Sequence, residues 1–224
     1  RAGMRRFPIL SEIQIRMGLS APPQSPQPKK RWHCLRAGAQ PQNSTPGSVG
    51  CPGKKEASMA VHPDAAETLA LLDALQIPYR YYSHSRARTM ADCAGIGADV
   101  GAQHFKNLFL SDRRRSVFVL LLLAPEKTFH TADISAQLGT ARLSFCTAEE
   151  LYAKLGLLPG AVTPMALARP NAKDVRVAVD RDILQMETVC VHPCTAEASL
   201  ALPCAELLRF LAHCGNPLSY VVAG

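Results

Sequence analysis

The stretch Val117-Phe118-Val119-Leu120-Leu121-Leu122-Leu123-Ala124 is apolar at every position. A strand with one wet face alternates apolar and polar residues, so an unbroken run implies burial on both faces. It is too short to cross a bilayer, which takes roughly 20 residues. The run therefore predicts an inner strand with material packed on both sides of its sheet. Before it, Lys106 to Ser111 reads as a second strand, and Asp112-Arg113-Arg114-Arg115-Ser116 as the polar turn joining the two. A sheet covered on both faces belongs to a layered α/β fold.

The flanking sequence supplies the layers. Residues 63–76 carry an apolar stripe of Leu69, Leu72 and Leu75 with Ala65, Ala66 and Ala70, and read as a helix ended by Pro78. Tyr79 to Ser83 is a short strand, and Thr89 to Ala94 a helical turn before the flexible Gly95-Ile96-Gly97. Thr131 to Leu138 reads as a helix stopped by Gly139, and Arg142 to Phe145 as a strand. Thr147-Ala148-Glu149-Glu150 is a capping box opening a helix that runs through Leu155 to Gly156. Leu157 to Pro164 is a loop and Asp180 to Leu184 a helical turn. Val175 to Val179, Thr188 to His192, Ala198 to Ala201 and Tyr220 to Val222 are strands. Pro203 is expected at the first position of a last helix stopped by Gly215. The expected architecture is one α/β domain, a mixed β-sheet with flanking helices.

Charge divides the chain unevenly. Residues 1–58 hold ten Lys/Arg against two acids and eight of the 17 prolines, whereas residues 59–224 hold 15 basic and 16 acidic side chains. The basic, Pro-rich segment has no sustained period and buries too little apolar surface to offset its chain entropy. It can be read as a nucleic-acid arm, as a transit peptide, or as upstream sequence translated in frame. The last reading is preferred. The chain opens on Arg1, helical patterning begins directly after Met59, and Lys55-Glu56-Ala57 is encodable as a purine-rich ribosome-binding sequence. The functional domain is accordingly expected at 59–224, and its near-neutral balance confines any nucleic-acid contact to a local patch.

Several chemistries find little support. Of eight cysteines, six lie in the domain at 93, 146, 190, 194, 204 and 214, with no C-x-x-C pair. Cys190, His192 and Cys194 alternate closely but lack the second ligand pair of a zinc site, so no metal or other cofactor is expected. The thiols read as buried, reduced side chains of a cytoplasmic protein. There is no G-x-S-x-G elbow. Lys106 opens an otherwise apolar strand, and is either a solvated edge charge or a cation holding phosphate or carboxylate. Gly160-Ala161-Val162-Thr163-Pro164 is either a plain turn or a rim of backbone N–H groups able to bind an oxyanion. His130 and His192 are each a general base, a hydrogen-bond donor or a half-buried side chain.

Four strings then carry a resemblance. His104-Phe105-Lys106-Asn107-Leu108-Phe109-Leu110-Ser111-Asp112, Arg142-Leu143-Ser144-Phe145, Leu157 to Pro164 and Val191-His192-Pro193 occur in the order found in the YbaK-like prolyl-tRNA editing family. The resemblance spans about residues 62–222. Within that family the chain looks like the stand-alone bacterial deacylases that hydrolyse alanine mistakenly attached to proline tRNA. The resemblance implies that Lys106 holds the terminal adenosine region and that Asn107 neighbours it in the pocket. It also implies that Gly160, Ala161, Val162, Thr163 and Pro164 face the aminoacyl ester, with His192 near the substrate and Tyr81 lining the pocket. Arg142 is implied in acceptor-stem contact, and Arg113, Arg114 and Arg115 are added as candidates from charge alone. Catalytic roles are expected for Lys106, Gly160 and His192.

The implied partners are aminoacylated proline tRNA and prolyl-tRNA synthetase, with no membrane. After His192-Pro193 the chain reads Cys194 to Glu197 where the family often has a Leu-Val-Asn-type run, a departure that bears on selectivity. The expected activity is trans-editing hydrolysis of Ala-tRNA(Pro). The alternatives are another misacylated substrate such as Cys-tRNA(Pro), and a non-catalytic tRNA-binding or regulatory module.

Overall fold

The computed structural model describes residues 61–85, 96 and 101–224. These lie in Pro46–Gly224, the second of two units into which the chain divides. The boundary expected after residue 58 and the helical turn expected over Thr89 to Ala94 fall outside the described residues.

The fold is α/β, with its described strands shared between two sheets rather than gathered in one. Five strands, β3 (Lys106–Asp112), β4 (Phe118–Leu123), β5 (Leu143–Phe145), β6 (Arg176–Asp180) and β9 (Leu218–Val221), form a sheet of order β5-β3-β4-β6-β9. The other four, β1 (Arg80–Ser83), β2 (Gln103–His104), β7 (Thr188–Val191) and β8 (Ala198–Pro203), form a sheet of order β1-β8-β7-β2. Both are mixed. In the larger, β3 is antiparallel to β4 and β5, whereas β4, β6 and β9 run parallel. In the smaller, β8 is antiparallel to β1 and β7, and β2 runs parallel to β7.

The apolar run sits where its composition requires. Leu120 and Leu122 of β4 turn to the main core with Phe109, Val177 and Val179, meeting Val189, Val191, Leu200 and Leu202 from the smaller sheet. Helices α1 (Ala66–Ala74), α3 (Ala148–Leu155) and α4 (Cys204–Cys214) add Leu72, Leu155 and Phe210 to this core. Val119, Leu121 and Leu123 turn the other way, to a second core with Leu110, Ala178 and Ile134 of α2 (Thr131–Gln137). One strand thus serves two cores because its side chains alternate.

Local signals fix the ends of the elements. The capping box of α3 is formed. Thr147 Oγ1 accepts from the Glu150 N–H at 3.3 Å, and Glu150 Oε2 accepts from the Thr147 N–H at 2.8 Å. Gly156 closes the helix in the left-handed region (φ 63°), and Arg169 Nη1 donates to the Leu155 and Gly156 carbonyls at 2.7 and 2.8 Å. Pro203 is not the first helical residue. It ends β8 opposite Thr188, and α4 begins one residue later.

Leu121 and Leu122 are both fully buried, on opposite faces. Leu121→Ala and Leu122→Ala should therefore each cost about 2–5 kcal/mol, read as a lowered urea midpoint with an unchanged slope. A sheet wet on one face would show this loss for only one of them.

Candidate functional site

The chain passes between the two sheets three times, and the shortest passage runs from β2 to β3. β2 and β3 are separated only by Phe105, which is buried in the main core. His104 pairs with Cys190 in the smaller sheet, and Lys106 pairs with Leu123 in the larger. Three consecutive residues therefore tie a histidine of one sheet to a lysine of the other.

Lys106 is half-buried, and its Nζ donates to the Lys127 carbonyl oxygen at 2.7 Å. An ammonium has three donors, so one such bond leaves capacity for an anion. Lys127 turns its own Nζ to Asp180 Oδ1 at 3.0 Å and Asp182 Oδ2 at 2.7 Å. Asp180 is fully buried at the end of β6 and also accepts from the Ala124 N–H at 3.2 Å. Lys106 and Asp180 thus lie at the edge where parallel β4 and β6 end, the edge at which open α/β sheets bind ligands. Sequence reasoning missed Asp180; a carboxylate ending the apolar run Val177-Ala178-Val179 was the available signal.

Two buried polar atoms flank Lys106 without a hydrogen-bond partner among the described residues: His104 Nε2 and Asn107 Oδ1. Asn107 is opposite Leu122 and so shares its side of the sheet, toward the main core. Buried polar atoms are nearly always satisfied, so each marks a position where a ligand atom or water belongs.

His192 is buried, and its Nδ1 lies 2.9 Å from the Ala198 carbonyl. A carbonyl only accepts, so the ring proton of neutral His192 sits on Nδ1. Its ring is 6.3 Å from that of His84, whose Nε2 lies 2.9 Å from Ser199 Oγ. Burial, and then repulsion from His192 and His84, pushes the His104 pKa down to about 4. Burial also lowers His192, against the pull of the Ala198 carbonyl. Both rings are therefore neutral at pH 7. His84 carried no recognisable sequence signal. His130, by contrast, is exposed at the start of α2.

The loop at 160–164 meets His192 directly. Thr163 is fully buried, and its Oγ1 donates to the His192 carbonyl at 2.6 Å. The same oxygen accepts from the Met165 N–H at 3.3 Å. The rim of available N–H groups is smaller than expected, because the Ala161 N–H is spent on the Leu158 carbonyl at 3.1 Å. Ala161 and Pro164 are buried, Val162 packs partly into the main core, and Gly160 is exposed at φ 92° with open space where a Cβ would stand. Tyr81 lies opposite Leu200, packs against the main core and accepts the His62 N–H at 3.0 Å.

The expected arginines lie elsewhere. Arg113, Arg114 and Arg115 are exposed in the β3–β4 turn, at the far end of β3 from Lys106. Arg115 is tied to Glu150 at 2.6 Å. Arg142 is exposed and precedes Leu143, which pairs with Asp112, so it belongs to that far end as well.

Nucleophilic sulfur is disfavoured at four of the five described cysteines. Burial pushes Cys146 up to about 12 and Cys214 up to about 11, and raises Cys194 and Cys204 as well. A thiol held that high is not the thiolate that attacks esters.

This arrangement of polar groups at a sheet crossing coincides with a family match. The model of the aminoacyl-tRNA editing domain covers residues 84–210. The chain belongs to this family of editing enzymes and is a hydrolase of the aminoacyl-tRNA deacylase class. It is 26% identical over 148 residues to the prolyl-tRNA editing protein ProX of Acetoanaerobium sticklandii, covering 66% of this chain and 90% of that one. It is 33% identical over 108 residues to the prolyl-tRNA synthetase associated domain-containing protein 1 of Danio rerio, covering 47% of this chain and 58% of that one. A solved protein assigned as a trans-editing enzyme for prolyl tRNA synthetase superposes with a TM-score of 0.57 at 19% identity, over 74% of this chain and all of that one, and shares its fold. Among the described residues, no helix is long and apolar enough to cross a membrane.

The depressed histidines set a pH dependence. Below the ordinary histidine pKa of 6.5, the unfolded chain takes up protons that folded His104 refuses until about pH 4. Stability should therefore be fully present above pH 6.5 and fall as pH drops toward 4. Urea midpoints at pH 7 and pH 5 should differ in that direction, and His104→Gln should flatten the difference. A midpoint that rises on acidification would contradict the assignment.

Proposed function

We propose that the chain edits mischarged proline tRNA in trans, hydrolysing the ester of Ala-tRNA(Pro) and sparing Pro-tRNA(Pro). The observation that carries the site is the pair of unpartnered buried atoms, His104 Nε2 and Asn107 Oδ1, on either side of Lys106. The names of the relatives supply the substrate class: one is a prolyl-tRNA editing protein and another bears a prolyl-tRNA synthetase associated domain. Association with the synthetase belongs to the same proposal, as do activity within residues 59–224 and a cytoplasmic setting.

On this reading Lys106 binds a phosphate near the terminal adenosine with the donors that Lys127 does not use. Asn107, on the other face of β3 at the same sheet end, contacts the substrate from the main-core side. The Gly160 loop, anchored through Thr163 to His192, bounds the space for the amino-acid side chain. An aminoacyl ester is already activated, so hydrolysis needs a placed water and a stabilised oxyanion more than a protein nucleophile. A hydroxyl of the tRNA's terminal ribose assists the water, and neutral His192 contributes a hydrogen bond rather than a charge. Excluding proline, which is larger than alanine, is a steric task that a small rigid pocket performs well. Rejecting a side chain one methylene smaller yields only about 1–3 kcal/mol.

Single-turnover hydrolysis of Ala-, Cys-, Ser- and Pro-tRNA(Pro) tests the substrate. Alanine should be released and proline retained; release of cysteine or serine in preference would reassign the substrate, and no release at all would favour a binding module. Lys106→Ala should slow hydrolysis about 10- to 100-fold, the scale of a lost charged hydrogen bond, with the melting temperature nearly unchanged. Gly160→Val, strained by its positive φ, should slow turnover more than it weakens tRNA binding. Full activity in both variants would remove these residues from the site.

A further inference from the structure

β5 is an edge strand of the larger sheet, and its last residue, Phe145, is 59% exposed. Its ring is held edge-to-face by Phe129 at 5.8 Å and 71°. An exposed phenylalanine is common enough on a surface, but this one has a fixed orientation and a defined position between positive groups. Phe145 pairs with Leu110, four residues along β3 from Lys106, and Leu143 pairs with Asp112 next to the arginine turn. At about 3.3 Å per residue, Phe145 stands roughly 13 Å along the strand from Lys106, with Arg142, Arg113 and Arg114 beyond it.

β-Pleating puts Lys106, Leu108, Leu110 and Phe145 on one face of this sheet, the face covered by α2. A cavity of about 690 Å³ adjoins it, with His130, Thr131, Asp133, Ser135, Thr140 and Arg142 in its wall. That wall is braced on β5. Thr131 Oγ1 donates to the Leu143 carbonyl at 3.1 Å, and the Leu143 N–H donates to Ser135 Oγ at 3.0 Å. Asp133 and Arg142 balance in charge within the wall, so the positive charge along this face comes from the strand ends, Lys106 at one and Arg113 and Arg114 at the other.

Resting on the reading that this site acts on an aminoacyl-RNA, we propose that Phe145, steadied by Phe129, is a stacking platform for an unpaired base of the RNA's 3′ end. The alternation of cation, aromatic face and cation along β3 and β5 is the pattern that binds single-stranded nucleic acid. The positive groups follow the phosphates, and the ring takes a base without reading its identity. It also orients the RNA, with the reacting end at Lys106 and the duplex toward Arg142. A strand-adding protein would instead need the exposed main chain of β5 and would gain little from an ordered ring.

The test uses the full chain carrying Phe145→Trp, whose only other tryptophan is Trp32. Titration with a short unstructured RNA ending in CCA should quench the new fluorescence saturably, beyond the change in the wild-type signal. Phe145→Ala should weaken binding of uncharged tRNA about 5- to 100-fold, the range for one stacked base, while Phe145→Tyr keeps wild-type affinity. Melting temperatures should stay level, since the side chain is largely exposed. Absent quenching, unchanged affinity in the alanine variant, or a response to prolyl-tRNA synthetase but not to RNA would each overturn the platform. Loss of the deacylase reading would show separately, as wild-type chain that cleaves no aminoacyl ester yet still quenches with RNA.

Discussion

Phe105 lies at the point where one run of chain leaves the four-stranded sheet and enters the five-stranded one, and much of the polar geometry depends on it. Its ring is buried in the core that both sheets share. Held there, it fixes His104 against Cys190 on one side and Lys106 against Leu123 on the other. A residue that packed less completely would let the sheets shift against each other, and the histidines would move relative to the lysine. Core packing at this residue works with that of Leu120, Leu122, Val189 and Leu200 to hold the two sheets as one framework for these polar groups.

The charged groups are organised from the same edge. Buried Asp180 is satisfied by Lys127 and by the Ala124 N–H, and Lys127 offers its carbonyl to Lys106. The ammonium of Lys106 is thus steadied by a neutral acceptor rather than by a carboxylate. That distinction matters for any anion bound there. A lysine already paired with a carboxylate would have to break the pair before binding phosphate, whereas one held by a carbonyl keeps its full charge for the ligand. Asp180 meanwhile shares the Lys127 ammonium with Asp182, one step back from Lys106.

The double-faced run of β4 and the capping box at Thr147 were legible because each rests on local chemistry: side-chain alternation in one case, reciprocal hydrogen bonds in the other. Lys106 could be singled out because a cation opens an apolar strand. The second sheet was not legible, since β2 is two residues long and pairs with β7, some 85 positions away in sequence. The same distance hid the histidines. His84, His104 and His192 sit on three separate strands or strand ends and meet only when β1, β2, β7 and β8 pair. The Gly160 loop was recognised, but its hydrogen-bond economy was not. Nothing in the string Gly-Ala-Val-Thr-Pro says that Thr163 will close on the His192 carbonyl or that the Ala161 N–H will be spent in its own turn.

That last detail bears on how such a site can be selective. A loop whose N–H groups all pointed outward would bind any oxyanion and would adapt to the group presented. Here Thr163, Pro164 and Ala161 are buried, so the loop is anchored on three of its five residues, with Gly160 and Val162 the more accessible pair. Anchoring stiffens the wall at the cost of available donors, and a stiff wall excludes by size. The raised thiols and neutral histidines point the same way: the described residues offer no strong nucleophile and little positive charge beyond Lys106 at this crossing. Chemistry of this kind suits a substrate whose ester is already reactive. On the proposed reading, the selective step lies in which side chain this loop admits.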